Sequence, residues 1–247
     1  MNTLRYSFFA IVFGLGIWQV LVTTTGAPHF ILPDPWRVAK VAFQNRGLIA
    51  EHALVTATEV FLGLLIGTSL GAVTAIQLAI WPKAARLVLP LLVFTQAVPV
   101  FALAPILTLW FGYGMASKIV MAVLIIYFPV TSSFYDGLSR VPPALLDLAK
   151  TMGASDTQTM FRIKIPHALP SLASGLKLAA VYAPIGAVIG EWVGASQGLG
   201  YLMLLANGRA KIDLMFASLI ALAVFTVALH KAISMVAVRL TDISQST

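Results

Sequence analysis

Few side chains in this sequence could carry chemistry inside an apolar stretch. Residues 178–208 hold one acidic or basic side chain, Glu191. A charge surrounded by apolar residues is unfavourable in free energy, so such a residue is a candidate for a functional site. Two interpretations stay open. Glu191 lies on a solute pathway or gate, or it is a structural anchor that reaches interfacial water near the outer end of its helix.

The sequence lacks the residues and motifs that usually carry catalysis or bind a cofactor. The chain has no Cys, which excludes disulfides, thiolate metal sites and thiol nucleophiles. His52, His167 and His230 have no partner at metal-ligand spacing, so no metal site is expected. There is no Gly-x4-Gly-Lys-[Ser/Thr] phosphate-binding loop, and Gly198-x-Gly200 follows no strand. The sequence therefore predicts no catalytic residue and no cofactor, and any ATP must bind to another polypeptide.

The composition points to lipid as the solvent. Hydrophobic residues make up 59% of the 247 residues, charged residues make up 10%, and the mean hydropathy is +0.92. Soluble domains average about 25% charged residues, which disfavours a soluble enzyme, a disordered chain and a nucleic-acid-binding protein. The net charge of +7 fits basic loops that orient a membrane protein, and no nucleic-acid partner is expected.

Six apolar stretches approach the length of about 20 residues that a helix needs to cross a bilayer. They cover residues 6–22, 60–82, 87–117, 119–135, 178–208 and 214–229. A cleaved signal peptide is the rival interpretation of the first stretch, but the apolar core of such a peptide is usually about 7–15 residues. The sequence therefore predicts an all-α polytopic membrane protein with about six transmembrane helices.

The positions of Lys and Arg predict the orientation. With the N-terminus inside, most basic residues face the cytoplasm, among them Arg140, Lys150 and Arg162, whereas Lys118 falls on the outer face. Both termini are then cytoplasmic, and residues 136–175 form the largest cytoplasmic loop.

Local signals divide this loop into two short helices. Pro143 suits a helix start, and Gly153 suits a helix end in the left-handed conformation. Ser155 and Gln158 form a capping box for the second helix, and Pro166 is expected to stop that helix.

One face of the first short helix is apolar, with the spacing i, i+3, i+4 and i+7. It consists of Leu145, Leu148, Ala149 and Met152. A unit this short and polar cannot span a membrane, so it lies along the membrane surface or docks into another protein.

Small and polar residues mark the apolar helices. Glycines recur every four residues in two rows, which are Gly63, Gly67 and Gly71, and Gly186, Gly190 and Gly194. Such rows let helix backbones approach closely, either within one subunit or at a moving gate or dimer seam. The candidates for a translocation path or gate are Gln96, Pro99, Tyr127, Tyr182, Glu191 and Asn207. Ordinary hydrogen bonds between helices, or a kink at the proline, are the alternatives.

The cytoplasmic loop also resembles a known motif. Asp147-Leu-Ala-x3-Gly153-Ala154, then Ile163-x-Ile165-Pro166-x-Ala168-x-Pro170, resembles the EAA loop of permease subunits in binding-protein-dependent ABC importers. Leu32-Pro33-Asp34-Pro35 and Gly194-Ala-Ser-Gln-Gly-Leu-Gly200 are similar to other segments of that family. The resemblance covers about residues 30–230.

This resemblance implies a type I ABC importer permease (MetI-like) fold in the bacterial inner membrane. It implies a permease homodimer, two ATPase subunits inside and a solute-binding protein outside. The implied domains are an N-terminal transmembrane helix with its periplasmic connection (1–53), a core of five transmembrane helices (54–236) with a coupling hairpin at about 140–166, and a cytoplasmic tail (237–247). The residues it assigns to ATPase coupling are Asp147, Leu148, Ala149, Met152, Gly153, Ala154, Ile163, Ile165 and Pro166.

Within the family, the chain looks most like the branch that imports taurine, other sulfonates, nitrate and the pyrimidine precursor of thiamine. Ser133-Phe-Tyr-Asp-Gly137 and Gly190-Glu-Trp192 look closest to permeases for the thiamine precursor, such as hydroxymethylpyrimidine. Asp147 departs from the usual Glu of the family, and Glu59 from the Arg that is usual in the related branch. The alternative function is a proton-coupled secondary transporter using Glu191, for which we find no convincing internal repeat.

Overall fold

The computed structural model describes residues 2–246, which form helices and no strand. The helices are α1 (Asn2–Thr25), α2 (Pro35–Gln44), α3 (Arg46–Ile80), α4 (Pro82–Ala97), α5 (Val100–Phe111), α6 (Met115–Ser139), α7 (Pro143–Thr151), α8 (Asp156–Thr159), a π-helical turn (Met160–Lys164), α9 (Ile165–Gly194), α10 (Leu199–Gly208) and α11 (Ile212–Ser246). The predicted all-α class is confirmed.

Four helical stretches are long and apolar enough to cross a membrane. They are Arg46–Ile80, Met115–Ser139, Asp156–Gly194 and Ile212–Asp242. The pair α4 and α5 adds a fifth if it is counted as one bent span. The predicted first span lies in α1, whose apolar segment Phe9–Thr25 is shorter than these four stretches.

The predicted span over 87–117 is not one continuous helix but a bent pair of helices. The axes of α4 and α5 meet at 96°. Val98 is extended, with φ −82° and ψ 120°, and Pro99 follows it as the N-cap of α5. Proline has no N–H to donate and disfavours the helical conformation in the residue before it, so the chain turns here.

The fifth predicted span, 178–208, is also divided. Helix α9 ends at Gly194, and α10 begins at Leu199 after a short turn. Gly198 in this turn has φ +109°, a conformation that glycine adopts without the strain of a side chain. The turn after α9 therefore leads directly into a further helix.

Helix α6 packs against both α3 and α9. A Cβ added to Gly63 of α3 would lie 2.7 Å from the Ala122 Cβ of α6, and one added to Gly186 of α9 would lie 2.7 Å from the Ala122 Cα. Both glycine rows therefore serve close packing within one chain, the first of the two interpretations above.

The bundle has two distinct ends. At one end the hairpin of residues 140–166 packs beneath α3 and α6, where Met160 joins a buried cluster with Phe134 and Leu138. At the opposite end α2 contacts the start of α11 through an ion pair of 2.8 Å between Arg37 Nε and Asp213 Oδ2. These are called the hairpin end and the outer end.

We expect Gly186→Ala to lower the stability of the protein by about 1–3 kcal/mol, because its methyl group would overlap the backbone of Ala122. Thermal unfolding of the detergent-solubilised chain, followed by fluorescence, would measure this. Gly16→Ala is the matched control, since a Cβ at Gly16 has nothing within 4 Å. Equal unfolding temperatures for the two variants would contradict the packing role.

Candidate functional site

The first helix of the 140–166 hairpin has the predicted boundaries. Helix α7 begins at Pro143 after the N-cap Pro142. At its other end Gly153 has φ +74°. The N–H of Ala154 donates to the Ala149 carbonyl and the N–H of Gly153 to the Lys150 carbonyl, each at 2.9 Å. This is a Schellman motif, which satisfies the last carbonyls of the helix and turns the chain back.

The predicted capping box is confirmed. The Gln158 N–H donates to Ser155 Oγ at 3.2 Å, and the Ser155 N–H donates to Gln158 Oε1 at 2.9 Å. The start of α8 is therefore fixed by its own sequence.

The predicted stop at Pro166 is wrong. Asp156–Gly194 is one continuous helical stretch, and Pro166 lies in the first turn of α9. The π-helical turn precedes it, and the Ile165 N–H donates to the carbonyl of Met160, five residues back. This shift of the hydrogen-bond register before the proline lets the helix continue through a residue that lacks an N–H.

The apolar face of α7 is mostly exposed. The exposed fractions are 41% for Leu145, 56% for Leu148 and 78% for Met152, whereas Ala149 is buried. This stripe borders a groove of about 320 Å³, whose other wall includes Ile163 and Pro166. Of the remaining residues assigned to coupling, Asp147 and Gly153 are exposed, and Ala154, Ile163, Ile165 and Pro166 are half-buried. The structure thus brings most of these residues together at one surface.

A second candidate site is a cleft between α4, α6 and α9, which we call the central cleft. Its volume is about 520 Å³, and its lining is Gln96, Ile125, Phe128, Pro129, Ser132, Ser133, Leu178 and Tyr182. Two predicted path residues, Gln96 and Tyr182, therefore share one cleft. Ser132 and Ser133 were missed as lining residues, although they lie three and four residues after Pro129, on its helix face.

The other predicted path residues lie elsewhere. The Tyr127 hydroxyl donates to Thr74 Oγ1 of α3 at 3.0 Å, a hydrogen bond between helices. Asn207 is exposed near the end of α10, and Pro99 is exposed at the bend between α4 and α5. Glu191 lies at the outer end and is 1% exposed. None of these four belongs to the lining of the central cleft.

Glu191 holds the start of α10. Thr56 Oγ1 donates to Glu191 Oε1 at 2.6 Å. The N–H groups of Gly200 and Tyr201 both donate to Glu191 Oε2. A Cβ at Gly198 or at Gly200 would overlap the Glu191 carboxylate, so only glycine lets the α10 backbone approach this closely.

Two further side chains of α3 complete the cap. The Gly198 N–H donates to His52 Nδ1 at 3.0 Å, and the Leu199 N–H donates to Thr56 Oγ1 at 2.8 Å. The first N–H groups of a helix have no hydrogen-bond acceptor within that helix. In α10, side chains of α3 and α9 provide the missing acceptors. The sequence analysis missed His52 and Thr56 in this role, although they lie four residues apart, on one face of α3.

Two more ionisable groups are buried beside this cap. Glu59 is 2% exposed and Lys118 is 4% exposed. Lys118 lies at the outer end, and its Nζ donates to the carbonyls of Tyr113 at 2.6 Å, Gly114 at 2.8 Å and Gly194 at 3.4 Å. Because Lys118 reaches inward, it joins the ends of α5, α6 and α9. We call His52, Thr56, Glu59, Lys118 and Glu191 the polar cluster.

Comparisons with known proteins agree with this architecture. Residues 61–242 match the profile of the family described as binding-protein-dependent transport system inner membrane component. A probable ABC transporter permease protein of Haemophilus influenzae is 51% identical over 216 residues, which are 87% of this chain and 88% of that protein. The formylaminopyrimidine transport permease protein ThiX of Halalkalibacterium halodurans is 38% identical over 186 residues, 75% of this chain and 74% of that protein.

A solved structure has the same fold. It is an inward-facing conformation of the MetNI methionine ABC transporter, with a TM-score of 0.61 and 20% identity, and the match covers 85% of this chain and 98% of that one. With the family match, this confirms the predicted type I ABC importer permease fold. The chain belongs to the inner-membrane components of binding-protein-dependent transport systems, and it is a multi-pass ABC importer permease, a transport subunit and not an enzyme.

Proposed function

We propose that the 140–166 hairpin docks into an ATPase subunit and transmits its movement to the transmembrane helices. The observation that carries this proposal is the exposed apolar stripe of Leu145, Leu148 and Met152 beside a groove. Apolar side chains at a surface become favourable contacts when a partner covers them. The nine residues assigned to coupling in the sequence analysis are proposed as the contact surface and its support.

The central cleft is proposed as half of the translocation path. Gln96 and Tyr182 are exposed in it, so its polar groups face away from the chain. A second copy of the chain, facing the first, would enclose these groups and shield them from lipid. We therefore propose a homodimer with two ATPase copies at the hairpin end and a solute-binding protein at the outer end.

The proposed orientation follows from the two ends of the bundle. The hairpin end carries Arg140, Lys150, Arg162 and Lys164 and is assigned to the cytoplasm. Both termini are then cytoplasmic. Residues 54–236 form the proposed core domain, with α3 reaching back to Arg46.

The proposed solute is a neutral pyrimidine of the thiamine-precursor class, such as hydroxymethylpyrimidine. The lining of the central cleft supplies an amide, hydroxyls and the aromatic rings of Phe128 and Tyr182, and it includes no charged residue. Aromatic faces with a few hydrogen-bonding groups suit a small heterocycle. Taurine and other sulfonates carry an anionic sulfonate group, and nitrate is itself an anion. The lining of the central cleft offers these solutes no cation. The name of the relative ThiX supports the same class.

A proton-coupled transporter using Glu191 is the weaker proposal. Both oxygens of Glu191 already accept hydrogen bonds from Thr56, Gly200 and Tyr201, and Glu191 does not line the central cleft. A carboxylate that relays protons needs an open route to water, so this environment favours a structural role.

Gly153→Val is expected to leave membrane insertion intact while abolishing uptake and the recovery of the ATPase with the tagged permease. A β-branched residue at φ +74° is strained, so the hairpin would change shape. A pull-down from detergent-solubilised membranes measures the association. Gly26→Val is the control, because Gly26 has φ +58° and equally open surroundings far from the hairpin. Normal uptake and ATPase recovery with Gly153→Val would refute the proposal.

Gln96→Leu is expected to lower solute uptake by about 3- to 10-fold, the effect of losing one hydrogen bond to the solute. Insertion and ATPase recovery should not change. Gln77→Leu removes the same group from an exposed position of α3 outside the cleft lining, and it should transport normally. If both variants transport alike, the central cleft is not the path.

Uptake of labelled hydroxymethylpyrimidine by cells expressing the chain with its ATPase and binding protein tests the solute. Unlabelled pyrimidine should compete, whereas taurine and nitrate in excess should not. No uptake of the labelled pyrimidine, with uptake of labelled taurine or nitrate by the same cells, would reverse the assignment while leaving the coupling proposal intact.

A further inference from the structure

Glu59 and Glu191 are neighbours in the polar cluster. Thr56, which donates to Glu191 Oε1, lies about one helical turn before Glu59 on the same face of α3, and the two carboxyl groups interact. Glu59 is 2% exposed and Glu191 is 1% exposed, and Lys118 is the basic residue beside them. Two ionised carboxylates in contact away from water repel each other strongly. A proton or a cation must therefore lie between them.

Lys118 does not fill this place. An ammonium group has three donors, and its Nζ already donates to the carbonyls of Tyr113, Gly114 and Gly194. Lys118 thus balances one negative charge in the polar cluster but donates no hydrogen bond to Glu59 or Glu191.

A metal ion does not fit there either. No group of three or more His, Cys, Asp or Glu side chains that could hold a metal ion occurs among the described residues. The Glu191 carboxylate already accepts three hydrogen bonds from the chain. The smallest cation, a proton, remains.

The hydrogen bonds indicate which carboxyl carries the proton. Glu191 Oε2 accepts from two backbone N–H groups, and Oε1 accepts from Thr56. Three donors directed at the two oxygens of one carboxyl favour its ionised form. In contrast, Glu59 Oε2 has no hydrogen-bond partner among the described residues, although it is buried. A protonated carboxyl leaves one oxygen neutral, and a neutral oxygen without a partner is less unfavourable than a charged one.

We propose that Glu59 is a proton-binding site. Its protonated carboxyl donates a hydrogen bond to Glu191, and Glu191 stays ionised and in place to cap α10. With one proton on Glu59, the charges of Glu191 and Lys118 balance, and the polar cluster is neutral. Glu59 is then a positioning residue for the outer end of the permease. The remaining titratable groups around it are His52 on α3 and Tyr201 on α10, which contact each other at 5.9 Å between ring centroids.

Glu59→Gln and Glu191→Gln form the matched pair that tests this. In Glu59→Gln the new amide can still donate to Glu191, so the unfolding temperature should stay within about 2 °C of the wild type. In Glu191→Gln the new amide would turn an N–H₂ group toward the α10 donors or offer them only a neutral acceptor, and we expect a loss of about 5 °C or more. The readout is thermal unfolding of the full chain in detergent, which does not depend on transport or on any partner. Similar losses in both variants, or loss in Glu59→Gln alone, would overturn the assignment.

The pH profile gives a second readout that a purely structural role would not move. As the pH rises, loss of the shared proton would leave two ionised carboxylates in contact, so the wild-type unfolding temperature should fall. Glu59→Gln has no such proton, so its profile should fall less. Parallel profiles would refute the proposal.

Infrared spectroscopy keeps the proposal testable if either variant folds poorly. At neutral pH the wild type should show the carbonyl stretch of a buried protonated carboxyl, and Glu59→Gln should lack this band. Its absence from the wild type would show that both groups are ionised and that the site holds no proton.

Discussion

The packing of α6 between two rows of glycine is the contact on which the other features depend. Lipid does not drive apolar helices together, so their association relies on dispersion forces that require close approach. Ala122 has Gly63 on one side and Gly186 on the other, with no space for a methyl group at either glycine. This fixes α3, α6 and α9 as one body. The central cleft, the polar cluster and the hairpin are all built on parts of it.

Breaks in the helices create the second constraint, because every free backbone donor at membrane depth needs a partner. At the α9–α10 turn the partners are His52, Thr56 and Glu191, three side chains reaching from α3 and α9. The polar cluster is therefore the consequence of starting a helix inside a packed bundle. The glycine-rich turn before α10 therefore explains why the acidic residue Glu191 is buried at the end of α9.

The ends of the hairpin helices and the close packing of the glycine rows could be predicted from the sequence, because local sequence signals determine them. The capping box of Ser155, the left-handed Gly153 and the glycine rows each depend on a few neighbouring residues or on a simple period. Pro166 was misinterpreted since the π-helical turn that accommodates it has no clear sequence signal. The surroundings of Glu191 could not be predicted either, because Thr56 lies 135 residues away in sequence and meets Glu191 only through the packing of α3 on α9. Long-range contacts of this kind are decided by the fold as a whole.

The continuous helical stretch Asp156–Gly194 connects the proposed docking hairpin, the proposed path and the polar cluster. The first turns of this stretch belong to the hairpin, Tyr182 in its middle lines the central cleft, and Glu191 at its end holds α10. If the helix had ended at Pro166, a flexible joint would separate the hairpin from the transmembrane part of α9, and movement of the hairpin would not be transmitted to that part. With the helix unbroken, a rigid-body shift at the docking surface must also displace the cleft wall and the cap of α10. In the proposed importer, this one helix would therefore link an ATPase on one side of the membrane to the outer end on the other.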